Sequence, residues 1–290
     1  MKNNFMQNTY PSYIFFGTGH FAEQTLVTLL EQGHAPKYVI SSPDKPVGRH
    51  QIITPPAAKV VAEKAGIKVF QPEKLRTPEA LAELKSLIDQ VDVCVVADYG
   101  KILPQALLDM CPKGFLNIHP SLLPLHRGPA PLQATILSGN NKTGVTIIQI
   151  DAEMDHGPIV AVQHEEIPPT MWPCTTGELS IHMARIGAHL LTKTLPAYAA
   201  GHITLTEQDH TLATYTKMID KKDAEVSYDD IQKGVLTDIY LKYCAYKDWP
   251  EVYFMKDGKR VKIKKMSCVD EVYKIERVVF EGKSEADWIG

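Results

Sequence analysis

The run Val91–Ala97 constrains the fold of this chain more than any other stretch. It is almost continuously apolar, as expected for a central parallel strand that is buried on both faces of a sheet. Predicted strands and helices alternate around it, from a strand and a helix within residues 12–32 to a long helix over Thr175–Ala200. Such alternation predicts an α/β fold, in which helices cover the faces of a parallel-rich sheet.

The length of the chain suggests one full domain and a smaller one. With 290 residues, of which 44% are hydrophobic and 22% charged, the chain can bury a large core. We expect a first domain over residues 1–203, a polar linker over 204–224 and a small C-terminal domain over 225–290. In the last of these, a helix over Asp229–Cys244 and the short strands after it predict a β-rich unit.

Composition argues against several classes of protein. The five cysteines are scattered without a C-x-x-C pair, which indicates neither a disulfide framework nor a zinc site. These cysteines fit a reducing cytoplasm. No apolar run has the length of a signal peptide or a bilayer span, so we expect a soluble protein without a membrane partner. We also expect a monomer. The net charge of -3 argues against a globally basic nucleic-acid binder, although Lys256–Lys265 is locally basic.

The first turn, Gly17–Ala22, matches the G-x-G-x-x-G/A pattern of dinucleotide-binding folds. In that pattern the glycines let the backbone approach a pyrophosphate at a helix N-terminus. An acidic residue is also expected about 20 positions later, at the end of the second strand. The chain has Ser41 and Ser42 there, and Asp44 only after a proline. An NAD-dependent oxidoreductase is therefore one alternative, and a tight turn without a nucleotide is the other.

Asn117 and His119 lie at the end of a predicted parallel strand, where open α/β sheets bind their ligands. Strand alternation puts both side chains on the same face. Asp155 lies in an acidic loop between two later strands, and a turn there can bring its carboxylate back towards His119. Such an acid can orient an imidazole for proton transfer near neutral pH. Taken singly, the three could be a turn former, a strand-end histidine and a cap; their ordered combination favours a catalytic site.

Four motifs follow one another along the chain, namely Asn117-x-His119, Ser121-Leu-Leu-Pro124, Arg127-Gly128 and Met154-Asp155-x-Gly157. Together they resemble the signature of the 10-formyltetrahydrofolate-dependent formyltransferases. That resemblance implies a Rossmann-like first domain that binds 10-formyltetrahydrofolate as a co-substrate and requires no metal. It also implies that the second domain is a small, OB-like barrel. The roughly 65 residues after Ala224 are too few for the family's five strands, so we expect a shortened version.

Other stretches resemble the branch of the family that formylates methionyl initiator tRNA. Ser42–His50 is similar to a loop whose basic residues meet the tRNA acceptor end, and Ala97–Pro104 to the strand and turn of the pterin pocket. Thr214-Tyr215-x-Lys217 and Asp248-Trp-Pro250 resemble the linker and the start of the second domain. Pro120 is closer to the glycinamide ribonucleotide branch, and an aminosugar N-formyltransferase or a non-catalytic RNA-binding protein of the same fold remains an alternative.

The resemblance also implies roles for individual residues. We expect Asn117 to donate to the oxyanion, His119 to stabilise it or move a proton, and Asp155 to set the charge of His119 and help to deprotonate the amine. The predicted folate-lining residues are Tyr99, Gly100, Lys101, Ile102, Leu103, Ser121, Leu122, Leu123 and Pro124. The predicted tRNA-binding residues are Lys45, Arg49, Arg127, Lys259, Arg260 and Lys262. For the last three, a solvated strand face is the alternative to a phosphate-binding stripe.

Overall fold

A computed structural model describes residues 10–48, 50–269 and 272–289. Within them the strands are β1 (Tyr13–Gly17), β2 (Tyr38–Ile40), β3 (Lys45–Val47), β4 (Ile52–Thr54), β5 (Val69–Phe70), β6 (Val93–Ala97), β7 (Phe115–His119), β8 (Lys142–Gln149), β9 (Ile159–Glu166), β10 (Tyr253–Lys256), β11 (Lys259–Val269), β12 (Val272–Phe280) and β13 (Glu285–Asp287). The α-helices are α1 (His20–Glu31), α2 (Ala57–Lys64), α3 (Pro78–Ile88), α4 (Gln105–Leu108), α5 (Pro131–Leu137), α6 (Thr176–Ala199), α7 (Tyr228–Gln232) and α8 (Thr237–Tyr246).

The central sheet has the strand order β5-β2-β1-β6-β7-β8-β9. Its first five strands are parallel, and β6 is buried along its whole length, so the prediction of an α/β fold with a buried central strand is confirmed. Strand β8 runs antiparallel to both of its neighbours, β7 and β9. Only a short loop joins β8 to β9, and a parallel crossover needs a dozen or more residues.

The two faces of the sheet bury different residues of the same strand. In β1, Tyr13 and Phe15 face the cluster that includes α1 and α6, whereas Ile14 and Phe16 face the cluster that includes α3 and α4. This is the alternation that a pleated strand imposes, and all four side chains are buried. Each such side chain contributes about 1.5–3 kcal/mol to folding when it leaves water. The sheet is therefore a rigid base for the loops at its carboxyl edge.

The C-terminal region is a four-stranded antiparallel sheet in the order β10-β11-β12-β13. The prediction of a β-rich C-terminal unit is confirmed. Within the described residues this sheet has four strands, one fewer than the family's five-stranded barrel. Helix α8 packs against α5 and α6, and Ile136 and Tyr243 belong to one shared apolar cluster. The expected linker contains two 3-10 turns, His210–Leu212 and Lys221–Ala224, and isolated β-bridges from Thr206 to Ile159 and from Tyr215 to Arg127. The domain boundaries themselves stay predictions.

Two predicted elements differ from the structure. The prolines and the glycine of Ser42–Pro56 predict a loop without regular structure, but this segment contains the hairpin of β3 and β4, in which Val47, Ile52 and Ile53 are exposed. A hairpin without a buried face has no alternating pattern by which it could be recognised. The helix expected over Asp229–Cys244 is two helices, because the chain adopts a positive φ of 73° at Gly234.

No helix of the described residues is long and apolar enough to cross a bilayer.

Candidate active site

One carboxylate contacts both side chains at the end of β7. The Asn117 amide Nδ2 donates a hydrogen bond to Asp155 Oδ1 over 3.2 Å, and His119 Nδ1 lies 3.6 Å from the same oxygen. The strand alternation of β7 puts both side chains on one face, and the loop between β8 and β9 brings Asp155 to them. The structure therefore brings together the three residues that the sequence singled out as catalytic.

The other oxygen of Asp155 is held by the backbone of the Arg-Gly motif. The Gly128 amide N–H donates to Asp155 Oδ2 over 2.7 Å. Asp155 itself adopts a left-handed conformation with φ 51°, which is uncommon for a residue other than glycine. Two positions later, a Cβ on Gly157 would overlap the carbonyl oxygen of Gln149, which explains the glycine in the Met-Asp-x-Gly motif. The close approach of the loop to β8 thus sets the direction of the carboxylate.

His119 is almost completely buried, and its two ring nitrogens have different partners. Nε2 lies 3.1 Å from the backbone carbonyl oxygen of His126, and since a carbonyl can only accept, Nε2 carries a proton. Nδ1 faces the Asp155 carboxylate and is the nitrogen that can gain or lose a proton. Burial and the proximity of His119 lower the pKa of His126 below its usual value. The 3.6 Å between Nδ1 and Asp155 Oδ1 is longer than a direct hydrogen bond, so proton transfer between the two groups needs them to move closer or a water to bridge them.

The turn after β6 lies beside this cluster, because Val96 pairs with Asn117 in the sheet register. Gly100 in the turn has a φ of 73°, and no heavy atom lies within 4 Å of the place where a Cβ would stand. Ile102 is 73% exposed, whereas the Tyr99 ring is buried edge-on against Phe16. Backbone and an apolar side chain are therefore the accessible groups of this turn.

Lys101 is fixed to the neighbouring loop. Its Nζ donates to the carbonyl oxygens of Pro72 and Glu73, over 2.7 and 3.1 Å. Burial, and then the charge of Lys45, lower the pKa of Lys101. Lys45 on the exposed hairpin thus lies near the turn predicted to bind folate. Leu103, the last residue of that turn, is half-buried.

The segment Ser121–Pro124 is anchored by Thr146 of β8. The Thr146 hydroxyl donates to the carbonyl oxygen of Ser121 over 2.7 Å and accepts from the backbone N–H of Leu123 over 3.1 Å. The Ser121 side chain is fully buried and donates to a backbone carbonyl, so it is not available to a ligand. Leu122 and Pro124 are half-buried and form the accessible part of the segment.

The structure corrects the role expected for Arg127. The sequence predicts a tRNA contact, but the residue is 1% exposed and its guanidinium is used inside the protein. It donates to Gln208 Oε1, to the ring nitrogen of His210 and to the hydroxyl of Tyr215. A group with these partners cannot reach a phosphate without unfolding the segment around it.

The other predicted tRNA residues differ in how free their charges are. Lys45 is exposed on β3, and Arg49 lies outside the described residues. Lys259 and Arg260 are exposed at the start of β11, where the guanidinium of Arg260 lies 4.4 Å from the ring centre of Tyr253. Lys262 forms an ion pair with Glu251, a partner that it shares with Lys264. Part of the basic strand is therefore neutralised by the protein itself.

Asp98 occupies the N-terminus of α1, a contact that sequence reasoning missed. The residue is exposed along one side, yet its carboxylate packs against Gly19, where a Cβ would overlap it, and accepts from the N–H groups of Phe21 and Ala22. Burial raises the pKa of Asp98 to about 6. The place that a pyrophosphate takes in a dinucleotide-binding fold is thus filled by the protein's own carboxylate, which disfavours the NAD alternative.

The described residues contain no group of three or more histidine, cysteine or acidic side chains that could hold a metal ion.

Comparisons with known proteins point to one family. A family model described as formyl transferase matches residues 12–194. The methionyl-tRNA formyltransferase of Chloroflexus aggregans is 43% identical over 252 residues, which are 86% of this chain and 78% of that relative. That of Herpetosiphon aurantiacus is 38% identical over 277 residues, 96% of this chain and 82% of the relative. Among solved structures, an N-formyltransferase of Helicobacter canadensis in complex with folinic acid and dTDP-3-aminofucose has a TM-score of 0.62 at 20% identity, covering 90% of this chain and 89% of that one. A likeness at that identity shows the fold alone.

Proposed function

The chain belongs to the formyl transferase family, and on that premise we propose that it transfers the formyl group of 10-formyltetrahydrofolate to the amino group of methionyl initiator tRNA. Relatives that are 38 to 43% identical over most of the chain are methionyl-tRNA formyltransferases. The observation that carries the proposal is the single carboxylate of Asp155, which contacts both the Asn117 amide and the His119 ring.

Each of the three side chains has a task in acyl transfer to an amine. The formyl donor supplies an activated one-carbon acyl group, and negative charge develops on its oxygen when the amine attacks. The Asn117 amide has two N–H groups; one is donated to Asp155, and the second can be donated to the formyl oxygen. Asp155 accepts the proton that the amine loses. The bond between the formyl carbon and the folate nitrogen then breaks as that nitrogen takes up a proton, which His119 Nδ1, beside the same carboxylate, can pass on.

The residues around the cluster fit a folate. The flat pterin needs an apolar wall and backbone hydrogen-bonding groups, and the turn at Gly100 and Ile102 offers both. Leu122 and Pro124 would form the opposite wall, since Thr146 holds their segment in place. This folate site is adjacent to Asn117 through the β6–β7 register, which brings the donor within reach of the catalytic cluster.

The exposed hairpin of β3 and β4 is the surface that we propose for the tRNA acceptor end. It carries Lys45 together with the exposed apolar residues Val47, Ile52 and Ile53, and it lies near Lys101. Lys259 and Arg260 would add a weaker, salt-sensitive contact. A cytoplasmic location belongs to the same proposal, because aminoacylated tRNA is found there. The monomeric state stays a prediction.

The proposal is tested by supplying the purified protein with 10-formyltetrahydrofolate and alternative amines. The acceptors are methionyl initiator tRNA, a methionyl elongator tRNA, glycinamide ribonucleotide and a dTDP-linked aminosugar, and the formylated product is detected by mass spectrometry. We expect transfer to methionyl initiator tRNA alone. Transfer to the sugar but not to the tRNA would keep the chemistry and overturn the acceptor, and transfer to none of these amines would overturn the proposal.

A further inference from the structure

The segment that joins the two sheets is tied to the catalytic loop through a buried glutamine. Gln208 is 4% exposed, and its Oε1 accepts from Arg127 Nε and Nη2 over 3.2 and 2.7 Å. Its Nε2 donates to the backbone carbonyl oxygens of Asp155 and Gly157, over 2.9 and 2.8 Å. Both hydrogens and both lone pairs of the amide are thereby used, so the orientation of this side chain is fixed.

The same segment also contacts the loop that holds the other side of Asp155. Arg127 donates its backbone N–H to the Thr214 carbonyl oxygen over 2.9 Å and accepts from the Thr216 N–H over 2.7 Å. The Thr216 hydroxyl accepts from the N–H of Ala130 over 3.0 Å. Between these contacts lies Gly128, whose N–H is bonded to the Asp155 carboxylate. One stretch of chain thus supports both the backbone and the carboxylate of Asp155.

Asp155 needs such support because of its backbone conformation. A residue with a side chain at φ 51° is strained by about 1 kcal/mol or more, and it stays there only when its surroundings hold it. The two donors of Gln208 hold the carbonyl groups on both sides of His156, which is the point where this strained turn returns to β9. Releasing them would let the turn relax and move the carboxylate away from Asn117.

We propose that Gln208, itself oriented by the buried guanidinium of Arg127, is the positioning residue that aims the Asp155 carboxylate at Asn117 and His119. The inference rests on the proposed function in one respect, namely that Asp155 acts in formyl transfer. Because a displacement of about 1 Å at a reacting group can cost about a hundredfold in rate, a residue that never touches the substrate can control turnover. The segment before the C-terminal sheet is then part of the catalytic machinery.

The chain offers a substitution that separates positioning from general stability. Gln208→Glu keeps the shape of the side chain and gives the buried Arg127 guanidinium a charged acceptor in place of a neutral one. The same change removes the N–H groups that hold the carbonyls of Asp155 and Gly157 and puts an oxygen against them. The stronger pairing with Arg127 and the two opposed carbonyls act on stability in opposite directions. A positioning role therefore predicts a large fall in kcat in protein that is still fully folded at the assay temperature, whereas a purely structural role predicts that kcat is kept as long as the protein is folded.

We expect Gln208→Glu to lower kcat tenfold to about a hundredfold at a temperature where the variant is fully folded, with the KM values for donor and tRNA within twofold. Gln163→Glu, on the exposed part of β9, is the matched control and should leave all of these unchanged. A kcat within twofold of the wild type for Gln208→Glu would overturn the proposal. If that variant does not fold, Gln208→Met removes the same two N–H groups without adding a charge, and a kcat within twofold of the wild type there would overturn the proposal as well.

A second readout does not depend on the acceptor. The carboxyl 13C resonance of Asp155, assigned by its loss in Asp155→Asn, reports the surroundings of the carboxylate in any protein that folds. We expect this resonance to shift in Gln208→Glu and to stay in place in Gln163→Glu, and an unshifted resonance would contradict the positioning role. If the wild type formylates no acceptor while the resonance still shifts in Gln208→Glu, the proposed function is overturned and the contact from Gln208 to Asp155 is supported.

Discussion

Replacing Asn117 with alanine tests the role of its amide in stabilising negative charge. One amide hydrogen is bonded to Asp155 over 3.2 Å, and the second is the one proposed to meet the formyl oxygen. Loss of such a donor typically lowers kcat by about 10² to 10³, which corresponds to about 2.7–4 kcal/mol of the activation barrier. Loss of the bond to Asp155 costs the folded protein about 1 kcal/mol, or about 2–4 °C in melting temperature. The kinetic effect should therefore far exceed the effect on stability.

The assay is steady-state formyl transfer at saturating donor and acceptor, with thermal unfolding followed in parallel. Asn140→Ala is the matched control, because Asn140 lies in an exposed turn and accepts only from the N–H of Lys142 among the contacts of the described residues. We expect the control to keep its kcat and Asn117→Ala to lose at least about a hundredfold. A kcat of Asn117→Ala within tenfold of the wild type would refute the oxyanion role.

Three further predictions concern stability and binding. The pKa of Asp98 is raised from 3.8 to about 6 in the folded protein, which therefore binds this proton more tightly than the unfolded chain does. The stability of the folded protein consequently falls as the pH rises from about 4 to 6. Asp98→Asn should therefore raise the melting temperature more at pH 7 than at pH 4, and an equal change at both would contradict this reasoning. Gly157→Ala should destabilise the protein by about 1–3 kcal/mol by overlap with the β8 backbone and lower kcat, and a melting temperature equal to that of the wild type would be the contrary result. Lys45→Ala should raise the KM for tRNA several-fold and reduce the salt dependence of that KM. Lys262→Ala should change the KM little, because the Lys262 ammonium is already paired with Glu251. Equal effects of the two substitutions would show that the hairpin is not the main contact.

Periodicity predicts where the side chains of the proposed catalytic cluster lie on the sheet. The buried run of β6 located the centre of the sheet, and the alternation along β7 placed Asn117 and His119 on one face at its carboxyl edge. What the pattern could not supply was the contact geometry of Asp155, which depends on a left-handed turn and on the close approach of Gly157 to β8. The sequence indicates only that a turn can bring Asp155 towards His119, and the ordered motifs of the family support that pairing.

Contacts between distant segments account for most of what the sequence did not reveal. Arg127 looked like an exposed basic residue in a loop, and its burial follows from Gln208, which is 81 positions later and has no sequence pattern that marks it. Lys262 likewise belongs to an alternating basic strand, yet Glu251 neutralises part of its charge. Asp98 could have been noticed, since it is an acid directly after the central strand and before Gly100. Charge and spacing indicate which groups are present, and only the packing shows which of them are already paired.

The central claim is that one carboxylate organises the amide and the imidazole for formyl transfer, and Asp155→Asn tests it most directly. The substitution keeps the shape of the side chain but removes the charge and turns one acceptor into a donor facing the N–H groups of Asn117 or Gly128. The measurement is the single-turnover rate of formyl transfer from 10-formyltetrahydrofolate to methionyl initiator tRNA, with tRNA binding measured separately. We predict a fall of about a hundredfold or more in the rate, with unchanged tRNA affinity. A rate within tenfold of the wild type would contradict the account.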